Sequence, residues 1–396
     1  MSEEAILERA DLFSQRLFEK MKQINPGVAD LVLYEFRDGL RNFAPATGWA
    51  AVAPEESAAI EKRLEDSHFF ESIQLKPRVD GNIVLDRQAA DLTRMLFVGL
   101  VTGKYSVAWV RSRFYFDLRG FYFLARTNYF PPEVVAHFGG APYRSFEPRQ
   151  TAFEGQQALG YPEFQAANAD VDRLFIQSVI RLIEAKGTPV ILAIAGPTAA
   201  GKTEIVERLT AALEELGRKT TSIEMDHFLT DRDEREEKGI DSLGERAIHF
   251  GLFKRCLEDI VRGKKITTPR YDFISGNSSH RLDGSLKPGC VPIEIEPADI
   301  IFIEGNFPFL LNATNPLIGI KVVYLTDDPV RLKRKWRRDM DYRKKYDLNY
   351  FRNRYFKDQF LMARQYFLPQ IMACDLLVDT TGARLWATPG IAELLA

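Results

Sequence analysis

One octapeptide constrains this chain more than any other feature. Gly196-Pro197-Thr198-Ala199-Ala200-Gly201-Lys202-Thr203 fits the pattern G-x-x-x-x-G-K-[ST]. It follows an apolar run, Val190 to Ala195, that reads as a buried parallel strand. It precedes a helical pattern with Ile205, Leu209, Leu213 and Leu216 at apolar positions, closed by Gly217. Strand, glycine-rich turn and helix in that order form the context of a phosphate-binding P-loop. Consecutive backbone N–H groups around Gly196, Ala199, Ala200 and Gly201, together with the helix N-terminus, would meet the negative charge. Lys202 would reach the β- and γ-phosphates, and the Thr203 hydroxyl would ligate Mg²⁺. The motif implies that the chain binds a nucleoside triphosphate.

With 396 residues the chain has room for two or three domains. Apolar residues make up 45% and charged residues 27%, the balance of a soluble globular protein. A net charge of −2 gives no global pull toward nucleic acid or an anionic membrane. Cys256, Cys290 and Cys374 are widely spaced and contain no CxxC pair, which argues against a disulfide framework or structural zinc. The start, Met-Ser-Glu-Glu, is acidic and leads into an amphipathic helix rather than a signal peptide. The longest apolar run, Met95 to Val110, is interrupted by Lys104 and too short to span a bilayer. The expectation is a cytoplasmic protein without a membrane span. A homo-oligomer stays open.

Composition shifts near residues 140–170, where Gly, Pro, Gln and Ala accumulate. Two domains are expected, residues 1–160 and residues 161–396, with a helix over about Asp170 to Lys186 leading into the P-loop strand. Downstream, candidate strands Thr220–Met225, Ile300–Ile303, Ile320–Leu325 and Leu376–Val378 alternate with helical segments. Such alternation predicts an α/β fold, a parallel sheet with helices on both faces. Ligands of such sheets bind beyond the carboxyl ends of the strands, where Asp226, Glu304 and Asp327 fall. The first half predicts a mostly helical or α+β domain, with an amphipathic helix over Glu3–Gln23. It also carries a dense run of aromatics, Trp109 to Phe130, interleaved with Arg111, Arg113, Arg119 and Arg126. That run is either a base-stacking surface or, as such runs more often are, a core edge covered by arginine stems.

Five segments in order then resemble the uridine kinase / phosphoribulokinase family of P-loop kinases. They are the P-loop; Ile223-Glu224-Met225-Asp226-His227-Phe228; Thr268-Pro269-Arg270-Tyr271-Asp272-Phe273; Ile301-Phe302-Ile303-Glu304-Gly305; and the basic run containing Arg337-Arg338-Asp339 and Arg343. The resemblance covers about residues 188–380. It implies an ATP- and Mg²⁺-dependent kinase acting on a hydroxyl of a small metabolite, a nucleoside or related sugar-like alcohol. It implies that Asp226 is a base or orienting group for that hydroxyl and that Glu304 contacts Mg²⁺ or its waters. Residues 331–345 hold nine basic side chains. In the family this region is a lid, expected here over about 331–350. Lys202 and Arg338 become catalytic candidates, and Arg334, Arg338 and Arg343 candidates to neutralise charge on the transferred group. Tyr271, Asp272, His280 and Arg281 are the acceptor-site candidates. The insertion Ile274 to Ser279 departs from the uridine kinase pattern at this point. A second reading stays open, in which the bound nucleotide is a switch for an interaction made by the N-terminal half.

Overall fold

In the computed structural model of this protein, residues 3–66, 69, 87–117, 122–149, 161–240, 244–312, 314–341, 343 and 362–396 are described. A seven-stranded sheet grows around the P-loop strand. Its members are β1 Arg144–Ser145, β2 Val190–Ala195, β3 Thr220–Glu224, β4 Ile300–Gly305, β5 Ile320–Leu325, β6 Leu376–Asp379 and β7 Arg384–Ala387. Their spatial order is β1-β7-β6-β5-β2-β4-β3. Strands β2 to β6 run parallel, whereas β7 and β1 add antiparallel at one edge. The five helices that bear on the site are α1 Ser57–Glu65, α2 Tyr161–Lys186, α3 Lys202–Glu215, α4 Phe250–Val261 and α5 Asp328–Asp341.

The central strands read as unbroken apolar runs because both faces of the sheet are covered. All six residues of β2 are buried, and so are all six of β4. Successive side chains alternate between two cores. Leu192, Ile194, Phe302 and Val322 share one with Phe175 and Val179 of α2 and Leu209 of α3. Ile191, Ala193, Ile301 and Val323 share the other with Phe253 and Leu257 of α4. Tyr129, Val134 and Phe138, which precede the sheet in sequence, also belong to the second core.

Earlier residues build a third core. Helices Ala10–Ile24, Leu33–Arg41, α1, Arg87–Thr102 and Val107–Arg113 surround it, with the hairpin Phe114–Asp117/Tyr122–Ala125. The helix expected over Glu3–Gln23 is two, Glu3–Glu8 and Ala10–Ile24, parted at Arg9. The aromatic run resolves as core: Phe114, Phe116 and Phe123 are fully buried, and Phe114 packs edge-on against Phe123 at 5.5 Å. Arg119 and Phe121 of that run lie outside the described residues. Among the described residues, no helix is long and apolar enough to cross a membrane.

Candidate active site

The site begins with close backbone approach. A Cβ on Gly196 would lie 2.2 Å from the Tyr324 carbonyl oxygen of β5, so only glycine fits between these strands. Gly201 turns the chain into α3 with φ at 100°, and Ala199 takes φ of 62°, a region few non-glycine residues adopt. The loop is pinned from below. The Thr326 hydroxyl donates to the buried Ala200 carbonyl at 2.9 Å and lies 2.7 Å from the Thr380 hydroxyl. Lys202 is bound to its own loop, its Nζ donating to the carbonyls of Gly196 at 2.9 Å and Pro197 at 3.2 Å. Burial lowers the ammonium's pKa, and the carboxylates of Asp226 and Glu304 oppose that effect.

Facing the loop, β4 ends in Glu304-Gly305. The Thr203 Oγ1 lies 2.9 Å from both carboxylate oxygens of Glu304. Burial raises the Glu304 pKa to about 7, with Lys202 pulling it down. Asp226 follows β3 in the short helical turn Met225–Phe228. Thr203 and Glu304 form an all-oxygen pair suited to Mg²⁺, which is commonly held by one or two carboxylates plus substrate phosphates. Among the described residues, no group of three or more His, Cys, Asp or Glu side chains offers an all-protein metal cage.

The third wall is α5. Its Arg338 donates through Nη2 to the Thr198 hydroxyl at 2.8 Å, and Arg334 donates through Nη1 to the Ala199 carbonyl at 3.4 Å. The i, i+4 spacing puts both on one face. Arg334 is held in a setting dry enough to lower its pKa to about 10. Arg343 lies over the Phe273 ring, 4.7 Å from its centroid. The rest of the expected lid, residue 342 and residues 344–350, lies outside the described residues.

These groups line one cavity of about 440 Å³. Ala199, Gly201, Lys202, Thr203, Asp226, Glu304, Arg334, Arg338 and Arg343 are all on its wall, whereas Gly196 and Ala200 shape the loop from behind. The acceptor-site candidates are not on that wall. Tyr271 is buried, its N–H donating to His227 Nδ1 at 3.1 Å and its ring against Phe273 at 5.1 Å. Asp272 caps its own turn through the Ile274 N–H and the Ser275 hydroxyl. Buried His280 lies 2.8 Å from the Ser279 hydroxyl, and Arg281 reaches Ser285. Phe273, Asn306, Glu224 and Glu204 line the cavity instead. Proximity in sequence was the available signal: Glu224 ends β3, Asn306 follows Gly305, and Glu204 follows Thr203.

The chain thus has a cavity lined by the cations of Lys202, Arg334 and Arg338 and by the carboxylates of Asp226, Glu224 and Glu304, with Lys202 close enough to Asp226 and Glu304 to feel both charges. The fold and loop define a P-loop domain built to hold phosphate. Residues 191–386 match the Phosphoribulokinase / Uridine kinase family, and the C-terminal half of the chain is a small-molecule kinase domain resembling that family. The uridine kinase of Lactobacillus helveticus is 28% identical over 196 residues, covering 49% of this chain and 88% of the relative. That of Leuconostoc citreum is 27% identical over 160 residues, covering 39% of this chain and 70% of the relative. A solved structure of D-glycerate 3-kinase from Cryptococcus neoformans var. grubii aligns at 13% identity and a TM-score of 0.38, covering 56% of this chain and 98% of that one.

Proposed function

We propose that the protein is a Mg·ATP-dependent kinase that transfers the γ-phosphoryl group to a hydroxyl of a small metabolite, a nucleoside or related sugar-like alcohol. The observation that carries this reading is the convergence of Lys202, the Thr203–Glu304 pair, Asp226 and two α5 arginines on one cavity. Phosphoryl transfer asks a protein mainly for positioning and charge stabilisation. The P-loop N–H groups and Lys202 hold the polyphosphate, while Thr203 and Glu304 hold Mg²⁺. When bound, the ion neutralises charge on the phosphate oxygens. Arg334 and Arg338, which meet the loop at Ala199 and Thr198, stabilise charge there. Asp226 orients the acceptor hydroxyl and receives its proton.

The acceptor end suits a polar alcohol. Glu224 and Asn306 offer hydrogen bonds to hydroxyl groups, and Phe273, with Arg343 over its ring and Tyr271 edge-on to it, adds an apolar wall. The two relatives named uridine kinase favour a nucleoside among such alcohols. All three cysteines are free, which suits the reducing cytoplasm that we assign to the protein.

The test is acceptor-dependent ADP release from Mg·ATP across a panel of nucleosides, sugars and hydroxy acids, run beside Lys202→Ala. An acceptor whose signal vanishes in Lys202→Ala supports the reading and names the substrate class. ADP release that ignores every acceptor would overturn it.

A further inference from the structure

The family match begins at residue 191, and the reading above assigns nothing to the residues that build the third core. Helix α5 gives them a task. At 3.6 residues per turn, Asp328, Leu332, Lys335 and Asp339 lie along one stripe, and Arg334 and Arg338 lie about 100° around the helix. The arginine stripe meets the P-loop at Thr198 and Ala199. The other stripe meets the N-terminal half at Leu332 and Asp328, while Lys335 pairs with Asp339. Leu332 is 2% exposed and belongs to the same hydrophobic cluster as Phe13, Phe36 and Phe97.

The first turn of α5 is gripped where the hairpin leaves that cluster. Phe114 and Ala125 are members of the N-terminal core. Arg126, the next residue, donates its backbone N–H to the Arg113 carbonyl at 2.8 Å and its Nε to the Phe114 carbonyl at 3.2 Å. Its Nη1 then reaches Asp327 Oδ2 at 2.5 Å. The following Thr127 N–H donates to Asp328 Oδ2 at 2.7 Å, and the Tyr129 hydroxyl lies 3.3 Å from Oδ1. A second tie reaches the other wall of the cavity. Arg364 donates to the carbonyls of Leu64 and Glu65 at the end of α1. A turn and a half later, fully buried Gln370 donates to the Asn306 carbonyl at 2.8 Å and accepts from the Phe309 N–H at 3.2 Å.

We infer that the N-terminal half is a working part of the kinase, which sets where α5 presents Arg334 and Arg338, with Arg126 and Leu332 as its positioning residues. Anything that shifts the N-terminal core against the sheet shifts the phosphate-facing arginines. By linkage, filling the phosphate site stabilises the N-terminal half in return. This return effect rests on the reading of the cavity as a triphosphate site, whereas the mechanical attachment does not.

The test uses the full chain and hydrogen–deuterium exchange, comparing the unaltered protein with Arg126→Ala, Arg126→Lys and Leu332→Ala. Exchange over residues 328–341 should quicken about tenfold in Arg126→Ala and Leu332→Ala, within the usual range of a site-to-site coupling. Residues 190–195 and 300–305 should be unchanged, and Arg126→Lys should restore most of the protection. Adding Mg²⁺ and inorganic triphosphate should slow exchange over 114–127 in the unaltered protein and lose that effect in Arg126→Ala. Exchange over 328–341 that is unaltered in both alanine variants would overturn the inference, as would a rise spread evenly over the sheet. A protein that binds no triphosphate yet quickens at 328–341 in Arg126→Ala would sink the nucleotide reading and leave the positioning role standing.

Discussion

Thr203 and Glu304 meet at the carboxyl end of the sheet, one hydroxyl oxygen equidistant at 2.9 Å from two carboxylate oxygens. Thr203 lies in the first turn of α3 and Glu304 one residue before the end of β4, so the pair links these two elements. Glu304→Gln keeps the size and an acceptor for the Thr203 hydroxyl while removing the charge. It is expected to weaken apparent Mg²⁺ affinity by about 100-fold, the upper end of what losing a metal-orienting group costs. A Mg²⁺ titration of turnover checks this, and a titration curve that does not move would take Glu304 out of the metal site.

Asp226 stands at the end of β3 on the same cavity wall. Removing a general base costs roughly 10² to 10⁴ in rate. Asp226→Asn should therefore lower kcat by about 100-fold or more while leaving ATP affinity within a factor of about two. Steady-state kinetics beside equilibrium nucleotide binding separates the two quantities. Normal turnover in this variant would remove Asp226 from the mechanism.

The parts of the molecule that were legible in the sequence are those governed by local chemistry. The strands Val190–Ala195 and Ile320–Leu325 follow from apolar runs, and the turn between Ala195 and Lys202 follows from its glycines. Of the three acidic residues expected at the strand ends, Asp226 and Glu304 line the cavity, whereas Asp327 does not and pairs with Arg126 instead. The edge strands β1 and β7 were not legible. Arg144–Ser145 is two residues long and finds its partner about 240 positions away, which leaves no periodic trace. Phe273 ends a segment singled out by the resemblance and Asn306 follows Glu304-Gly305 directly, so both were within reach of the sequence, whereas the position of Tyr271, Asp272, His280 and Arg281 off the cavity wall was not. Leu332 is one of several apolar residues in a basic helix, and only the fold reveals that it joins the N-terminal core.

His249 supplies a pH dependence of stability. It is 6% exposed, its Nε2 lies 3.1 Å from the Ser278 hydroxyl, and its ring stands 6.4 Å from that of His280. Burial lowers its pKa from 6.5 to about 4, helped by His280 and Lys287 and opposed by Asp231 and Glu234. Between those values the unfolded chain binds a proton that the folded chain refuses, so stability rises with pH there. The contribution is fully present above pH 6.5 and is lost as pH falls toward 4, by about 3 kcal/mol. Urea midpoints at several pH values should show that His249→Asn lacks this share of the slope. Parallel pH curves for the two proteins would count against it.

The Asp328–Arg331 pair should govern stability more steeply than any surface charge. Both side chains are fully buried, with Arg331 Nη2 2.6 Å and Nε 2.8 Å from Asp328 Oδ1. The carboxylate also accepts from the Thr127 N–H. Asp328→Ala leaves a guanidinium in the interior without its counter-ion, a change that costs about 3–5 kcal/mol. Arg331→Met alone leaves a carboxylate that still has the Thr127 N–H, so its cost should be smaller. The double variant Asp328→Ala/Arg331→Met removes both charges and should recover a large part of the loss, because no buried charge is then left unpaired. Urea unfolding of the four proteins completes the cycle. A double variant as unstable as the sum of the singles would mean that the pair is not coupled and that the helix start is held by the Thr127 and Tyr129 contacts instead.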